Sequence, residues 1–181
     1  MARIILITGG GRSGKSGYAQ EAAERLPGTR GFVATCPAID EEMVERIRKH
    51  QEARDPSRWT TMEEPCDLAG IFRRAAGFDV LLVDCVTLWV NNLMYEEDRN
   101  GRILTEEDAA RRCEEMLAAA ADFNGTAFFV TNEVSMGIIP DNPTARRYRD
   151  LVGRCNQILA RAADEVILMV CGLPVIIKGG R

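Results

Sequence analysis

Apolar runs of strand length alternate along the chain with stretches whose apolar residues recur at helical spacing. Residues 4–8 form a short apolar run closed by glycines, the pattern of a buried strand. The spacing predicts a helix over 15–26, stopped by Pro27-Gly28. Residues 31–35 read as a second strand, and Asp40 stands where a cap would open a helix over 41–54. Another helix is predicted over 66–76. Val80, Leu81, Leu82 and Val83 then make a wholly apolar strand, which requires cover on both faces.

Thr105-Glu106-Glu107-Asp108 has the form of a capping box, and the helix it opens places Ala109, Cys113, Met116, Ala120 and Phe123 at core spacing. Residues 126–131 read as a fourth strand. A long helix is predicted over 142–163, with Ala145, Tyr148, Leu151, Val152, Cys155, Ile158, Leu159 and Ala162 on its core face. Strands over 166–170 and 175–177 flank Gly172-Leu173-Pro174, a turn signal that predicts a C-terminal antiparallel hairpin. There is no repeat, no low-complexity tract and no linker. The expectation is an α/β fold in one domain, 1–181: a mostly parallel central sheet with helices on both faces, closed by that hairpin.

Length and composition narrow the function. The 181 residues suit one domain, and the hydrophobic fraction of 46% with 28% charged residues is that of a globular protein. A net charge of −4 gives no bulk attraction to nucleic acid or to an anionic membrane. Basic residues cluster only locally, at Arg46, Arg48, Lys49 and Arg54 and at Arg146, Arg147 and Arg149, which suits an anionic small molecule. No apolar run is long enough for a transmembrane segment, and the first strand starts too near Met1 to leave room for a signal peptide. The six cysteines show no CxxC pair and no metal spacing. They are expected to be reduced and mostly buried, in a cytoplasmic protein.

Gly9-Gly10-Gly11-Arg12-Ser13-Gly14-Lys15-Ser16 matches G-x-x-x-x-G-K-[ST] in full, between a predicted strand and a predicted helix. Glycines let successive N–H groups converge on phosphate oxygens, and the helix N-terminus adds partial positive charge. Lys15 supplies a full charge to the β- and γ-phosphates, and the Ser16 hydroxyl is placed to ligate Mg²⁺. Asp84, at the end of an apolar strand, is a second Mg²⁺ ligand or else a helix cap. The fold expected is therefore P-loop NTPase-like. Glu133, after the fourth strand, is a candidate general base. His50 is the sole histidine, and it shares a helix face with Met43, Ile47 and Arg54. That spacing favours a core histidine or a helix-end cation, and the rival reading is a nucleophile that attacks phosphorus as neutral imidazole.

The opening Ile7-Thr8-Gly9-Gly10-Gly11-Arg12-Ser13-Gly14-Lys15-Ser16 resembles that of the bifunctional adenosylcobinamide kinase / adenosylcobinamide-phosphate guanylyltransferase family of cobalamin biosynthesis. So do Ala34-Thr35-Cys36, the run from Asp40 through Arg46-Ile47 to His50, the stretch 59–63, Thr131-Asn132-Glu133-Val134-Ser135-Met136-Gly137-Ile138-Ile139-Pro140, and Asn156-Gln157. The resemblance covers nearly the whole chain. It implies phosphorylation of adenosylcobinamide by a nucleoside triphosphate, ATP or GTP. It then implies transfer of GMP from GTP to adenosylcobinamide phosphate, giving adenosylcobinamide-GDP. It makes His50 the guanylylated residue, and it puts nucleotide contacts on Gly9 to Ser16, on Ala34, Thr35 and Cys36, on Gln51, Glu52, Ala53 and Arg54, and on Glu63 and Asp84. It also implies a homotrimer. A small-molecule kinase without guanylyl transfer is the alternative. A guanine-reading switch is disfavoured because no Asn-Lys pair occurs in the chain.

Overall fold

The computed structural model describes residues 2–37, Asp55 and residues 57–179. The helix predicted over 41–54, with its cap Asp40, lies outside the described residues. A seven-stranded sheet is built from β1 (Arg3–Gly9), β2 (Arg30–Ala34), β3 (Thr60–Glu63), β4 (Val80–Asp84), β5 (Thr126–Val130), β6 (Glu165–Val170) and β7 (Leu173–Lys178). Its order is β3-β2-β4-β5-β1-β6-β7, parallel throughout except for the antiparallel β6–β7 pair. The expected parallel sheet and terminal hairpin are both present.

Successive strand residues point to opposite faces, and each face is apolar. Ile5, Ile7, Phe32, Val80, Leu82, Phe128 and Val130 pack on one side with Ala19 and Ala23 of α1 (Lys15–Glu24). Trp59 closes that layer, its ring edge-on to Phe32 and its indole N–H donating to Glu24 at 2.9 Å. Ile4, Leu6, Val33, Leu81, Val83, Ala127 and Phe129 face the other way. They meet α2 (Leu68–Arg73), α3 (Val86–Arg99), α4 (Glu106–Ala121) and α5 (Pro143–Ala162).

Local chemistry sets the helix ends. Thr105 and Asp108 form a reciprocal capping box on α4, and all five expected core residues of that helix segment are buried. Asn142 caps α5 through Thr144 and Ala145, with Pro143 in the first turn. The helix expected over 66–76 is shorter, because Asp67 caps it by accepting from the Gly70 N–H at 2.8 Å. On α5, Leu151, Val152, Cys155 and Leu159 are buried, whereas Ala145, Tyr148 and Ile158 are half-buried. Ala162 is exposed, because the helix ends there and Ala163 enters the core instead. The hairpin turn is Cys171-Gly172, both at positive φ (52° and 82°), the two-residue form that matches strand twist. Leu173 and Pro174 pair with Val170 and Met169 rather than turning. Proline is tolerated there because β7 is an edge strand.

Two elements go beyond the sequence reading. β3 is four residues long, at the sheet edge and mostly exposed, so it carries no alternation. α3 does carry helical spacing at Val86, Trp89, Val90, Leu93 and Met94, but it follows β4 after only Cys85, and the two apolar runs merge. Half the cysteines are buried: Cys85, Cys113 and Cys155. Cys36 and Cys66 are half-buried, Cys171 sits exposed at the hairpin tip, and all six are free.

Removing the Thr105 hydroxyl (Thr105→Ala) is expected to cost about 1 kcal/mol. Phe129, fully buried with its ring 5.7 Å from that of Phe72, should cost about 3–5 kcal/mol on truncation to alanine. Urea unfolding should show both losses as lower midpoints with unchanged slopes.

Candidate functional site

Parallel pairing in register brings the strand C-termini into one row. Glu63 and Asp84 both pair with Ala34, Asp84 pairs with Val130, and Val130 pairs with Ile7. Beyond β1 the chain turns through 10–14 into α1, so the glycine-rich loop stands at the end of this row.

The loop is shaped by two glycines. Gly9 has φ of 148°, and a Cβ there would lie 2.5 Å from the Met169 carbonyl oxygen of β6. Gly14 precedes the helix at φ 93°. No side chain caps α1 among the described residues, and its first turn holds no acidic residue. Its N–H groups therefore face the loop, the arrangement that binds anions. Gly10 and Gly11 have open space where a Cβ would stand, which leaves room for a ligand to approach the backbone. The Gly172 N–H donates to the Ser13 carbonyl at 3.1 Å, tying the loop to the hairpin tip.

Lys15 is buried under this loop. Its Nζ donates to the Gly10 carbonyl at 2.5 Å and to Ser13 Oγ at 3.4 Å. Burial lowers its pKa, and Cys85 and Asp84 oppose that shift. Asp84, half-buried at the end of β4, thus lies within electrostatic reach of the lysine. Burial pushes the neighbouring Cys85 thiol up to about 11. Ser16, in the first turn of α1, pairs with no protein group among the described residues.

Thr35 is fully buried, and its hydroxyl donates to the Cys85 carbonyl (2.8 Å) while accepting from the Cys85 N–H (2.7 Å). Its own N–H bonds Asp84 O, and its carbonyl accepts from Asn92. This side chain locks β2 to β4, and Ala34 and Cys36 on either side of it are half-buried. Glu63 is exposed on edge strand β3. His50, Gln51, Glu52, Ala53 and Arg54 lie outside the described residues.

A polar cluster follows β5. Thr8 Oγ1 donates to Glu133 Oε1 at 2.7 Å, and Asn156 Nδ2 donates to the same oxygen at 3.3 Å and to the Asn132 carbonyl at 3.1 Å. Thr131 Oγ1 donates to Asn156 Oδ1 at 2.7 Å, and Asn132 Nδ2 donates to Thr87 Oγ1 at 2.8 Å. Thr8, Thr87 and Asn156 are not among the site residues read from the sequence. Asn156 gave a usable signal, as a polar residue between Val152 and Leu159 on a helix face otherwise committed to the core. Past the cluster, Met136, Ile138 and Ile139 are exposed.

A glycine loop between β1 and an uncapped helix, with a buried lysine and a carboxylate at the end of β4, defines a P-loop nucleotide-binding fold. A KaiC-like protein from Pyrococcus horikoshii shares it, with a TM-score of 0.53 at 16% identity over 92% of this chain and 70% of that one. Residues 5–177 match the family model described as cobinamide kinase / cobinamide phosphate guanyltransferase, and the chain belongs to this family. It is 38% identical to the bifunctional adenosylcobalamin biosynthesis protein CobP of Pseudomonas aeruginosa, over 96% of each chain. It is 37% identical to the CobU proteins of Salmonella typhimurium and Escherichia coli, over 97% of this chain and 99% of each of them.

Gly9→Ala should force the loop off β6. Its strain of about 1–3 kcal/mol should lower the melting temperature and weaken binding of a fluorescent GTP analogue by about tenfold or more. Gly10→Ala, with open space at its Cβ, should melt like the parent.

Proposed function

We propose that this chain performs both reactions for which its family is described, within one domain. It phosphorylates the hydroxyl of the adenosylcobinamide side arm, then transfers GMP from GTP to that phosphate. The observation that carries the reading is the formed phosphate cradle with Lys15 buried beneath it, in a chain that aligns end to end with bifunctional relatives.

In the kinase step the loop N–H groups and the α1 N-terminus hold the polyphosphate. Lys15 leaves the Gly10 carbonyl to take a phosphate oxygen, so charge developing in the transition state meets a preorganised cation. The lowered pKa of Lys15 reflects burial, and an incoming polyphosphate supplies the negative charge that restores it. Ser16 and Asp84 offer a hydroxyl and a carboxylate, hard oxygen donors that suit Mg²⁺. When bound, Mg²⁺ would neutralise phosphate charge.

His50 is the nucleophile of the second reaction. Its imidazole nitrogen bonds the α-phosphorus of GTP, pyrophosphate leaves, and the cobinamide phosphate then displaces the histidine. Gln51, Glu52, Ala53 and Arg54 contact this nucleotide, together with Ala34, Cys36 and Glu63. The protein works in the cytoplasm as a homotrimer. Supporting assembly, β7 exposes Leu173, Val175, Ile176 and Ile177 on an open sheet edge.

Incubation with α-labelled GTP should leave acid-labile label on the parent and none on His50→Ala. Lys15→Ala should slow phosphorylation and guanylyl transfer together, by about a hundredfold. Label on His50→Ala equal to the parent's would remove the histidine from the mechanism. Phosphorylation without any label on the parent would favour a simple kinase.

A further inference from the structure

Glu133 is held in a way that a structural carboxylate does not need. β5 lies between β4, which ends at Asp84, and β1, which ends in the phosphate loop. The β1–β5 pairing continues past the strands, with the Thr131 N–H donating to the Ile7 carbonyl at 2.9 Å and the Glu133 N–H donating to Gly9 O at 3.1 Å. Glu133 is therefore pinned by its backbone to the first residue of the cradle. Glu63, by contrast, is on a strand four spacings from β1, or about 19 Å. Asp84 is the carboxylate already opposed to Lys15.

The side chain is held as firmly. Oε1 accepts from Thr8 and Asn156, while Oε2 accepts from nothing among the described residues. No ion pair among the described residues engages this carboxylate. Asn156 cannot flip without losing the Thr131 hydroxyl at its Oδ1, and Thr8, Thr131 and Asn156 are all buried. Glu133 itself is half-buried. Buried polar groups are thus spent on orienting one half-exposed acid beside the site of phosphoryl transfer.

We infer that Glu133 is the general base of the phosphorylation step, with Thr8 and Asn156 as its positioning residues; this rests on the functional reading above. The acceptor hydroxyl oxygen forms a bond to the γ-phosphorus while the bridging bond to the β-phosphate breaks. That electron pair leaves on the nucleoside diphosphate, and the hydroxyl proton passes to Glu133 Oε2 and then to solvent. In guanylyl transfer the attacking groups are first a neutral imidazole, through its unprotonated nitrogen, and then a phosphate oxyanion, so neither attacking atom has a proton to lose. Glu133 should therefore matter to the first reaction and not to the second.

The test measures both reactions separately on purified full-length variants, supplying cobinamide phosphate directly for the second. Glu133→Gln should lower kcat for phosphorylation by about a hundredfold or more, with KM for the nucleotide within twofold and GMP transfer retained. Thr8→Val should lower kcat about tenfold at unchanged KM, and Thr8→Ser should restore it. Phosphorylation by Glu133→Gln within threefold of an active parent overturns the inference alone. Equal loss of both reactions, with weakened nucleotide binding, assigns Glu133 a structural role and overturns it too. A parent that turns over neither substrate overturns the functional reading and this inference together.

Discussion

The parallel ladder between β1 and β5 is the constraint on which the site depends. It runs in register from Arg3 opposite Thr126 to Ile7 opposite Val130, and two further backbone hydrogen bonds carry it to Gly9. A slip of one residue would exchange the two faces of the strand. Ile5 and Ile7 would leave α1, and Thr8 would turn from Glu133 toward α1. Because both faces of the sheet are packed, such a slip would press each apolar side chain into a space shaped for another, at about 1–3 kcal/mol for each overpacked site. The same packing that stabilises the fold therefore holds the cradle and its neighbouring carboxylates in place.

Around this ladder the buried threonine and asparagine side chains among the described residues are paired. Thr35 joins β2 to β4, Asn92 bonds the carbonyls of Thr35 and Pro65, and Asn156 joins α5 to the end of β5. Each would cost about 1–3 kcal/mol if left unsatisfied. Their partners are backbone groups where the strands stop and the sheet can no longer supply bonds. The C-terminal edge of the sheet is consequently a rigid polar rim above an apolar interior. Such a rim can present charge to a nucleotide without reorganising.

How much of this was legible in the sequence follows from the range of each signal. The phosphate loop could be read because its residues are contiguous and their order carries the geometry. The capping box of Thr105 and Asp108 is local in the same sense. α3 stayed hidden because its apolar residues run on from β4, and β3 because an exposed edge strand has no alternation to betray it. The turn is two residues shorter than expected because Pro174 signals a turn yet sits in an edge strand. Glu133 was visible as a carboxylate after a strand. Its orientation was not, because Thr8 and Asn156 reach it from 125 and 23 residues away. Thr35 shows the converse: a residue expected at the nucleotide has its hydrogen-bonding groups engaged by the scaffold.

The cradle is also braced from the far side of β1. Gly9 lies against Met169 of β6, and the Ser13 carbonyl takes the N–H of Gly172 in the β6–β7 turn. The loop's conformation thus depends partly on a hairpin whose outer strand has no covering layer among the described residues and carries Leu173, Val175, Ile176 and Ile177 exposed. The apolar edge and the phosphate loop are separated by one two-residue turn, so the packing of the outer strand and the backbone shape of the loop rest on the same hairpin.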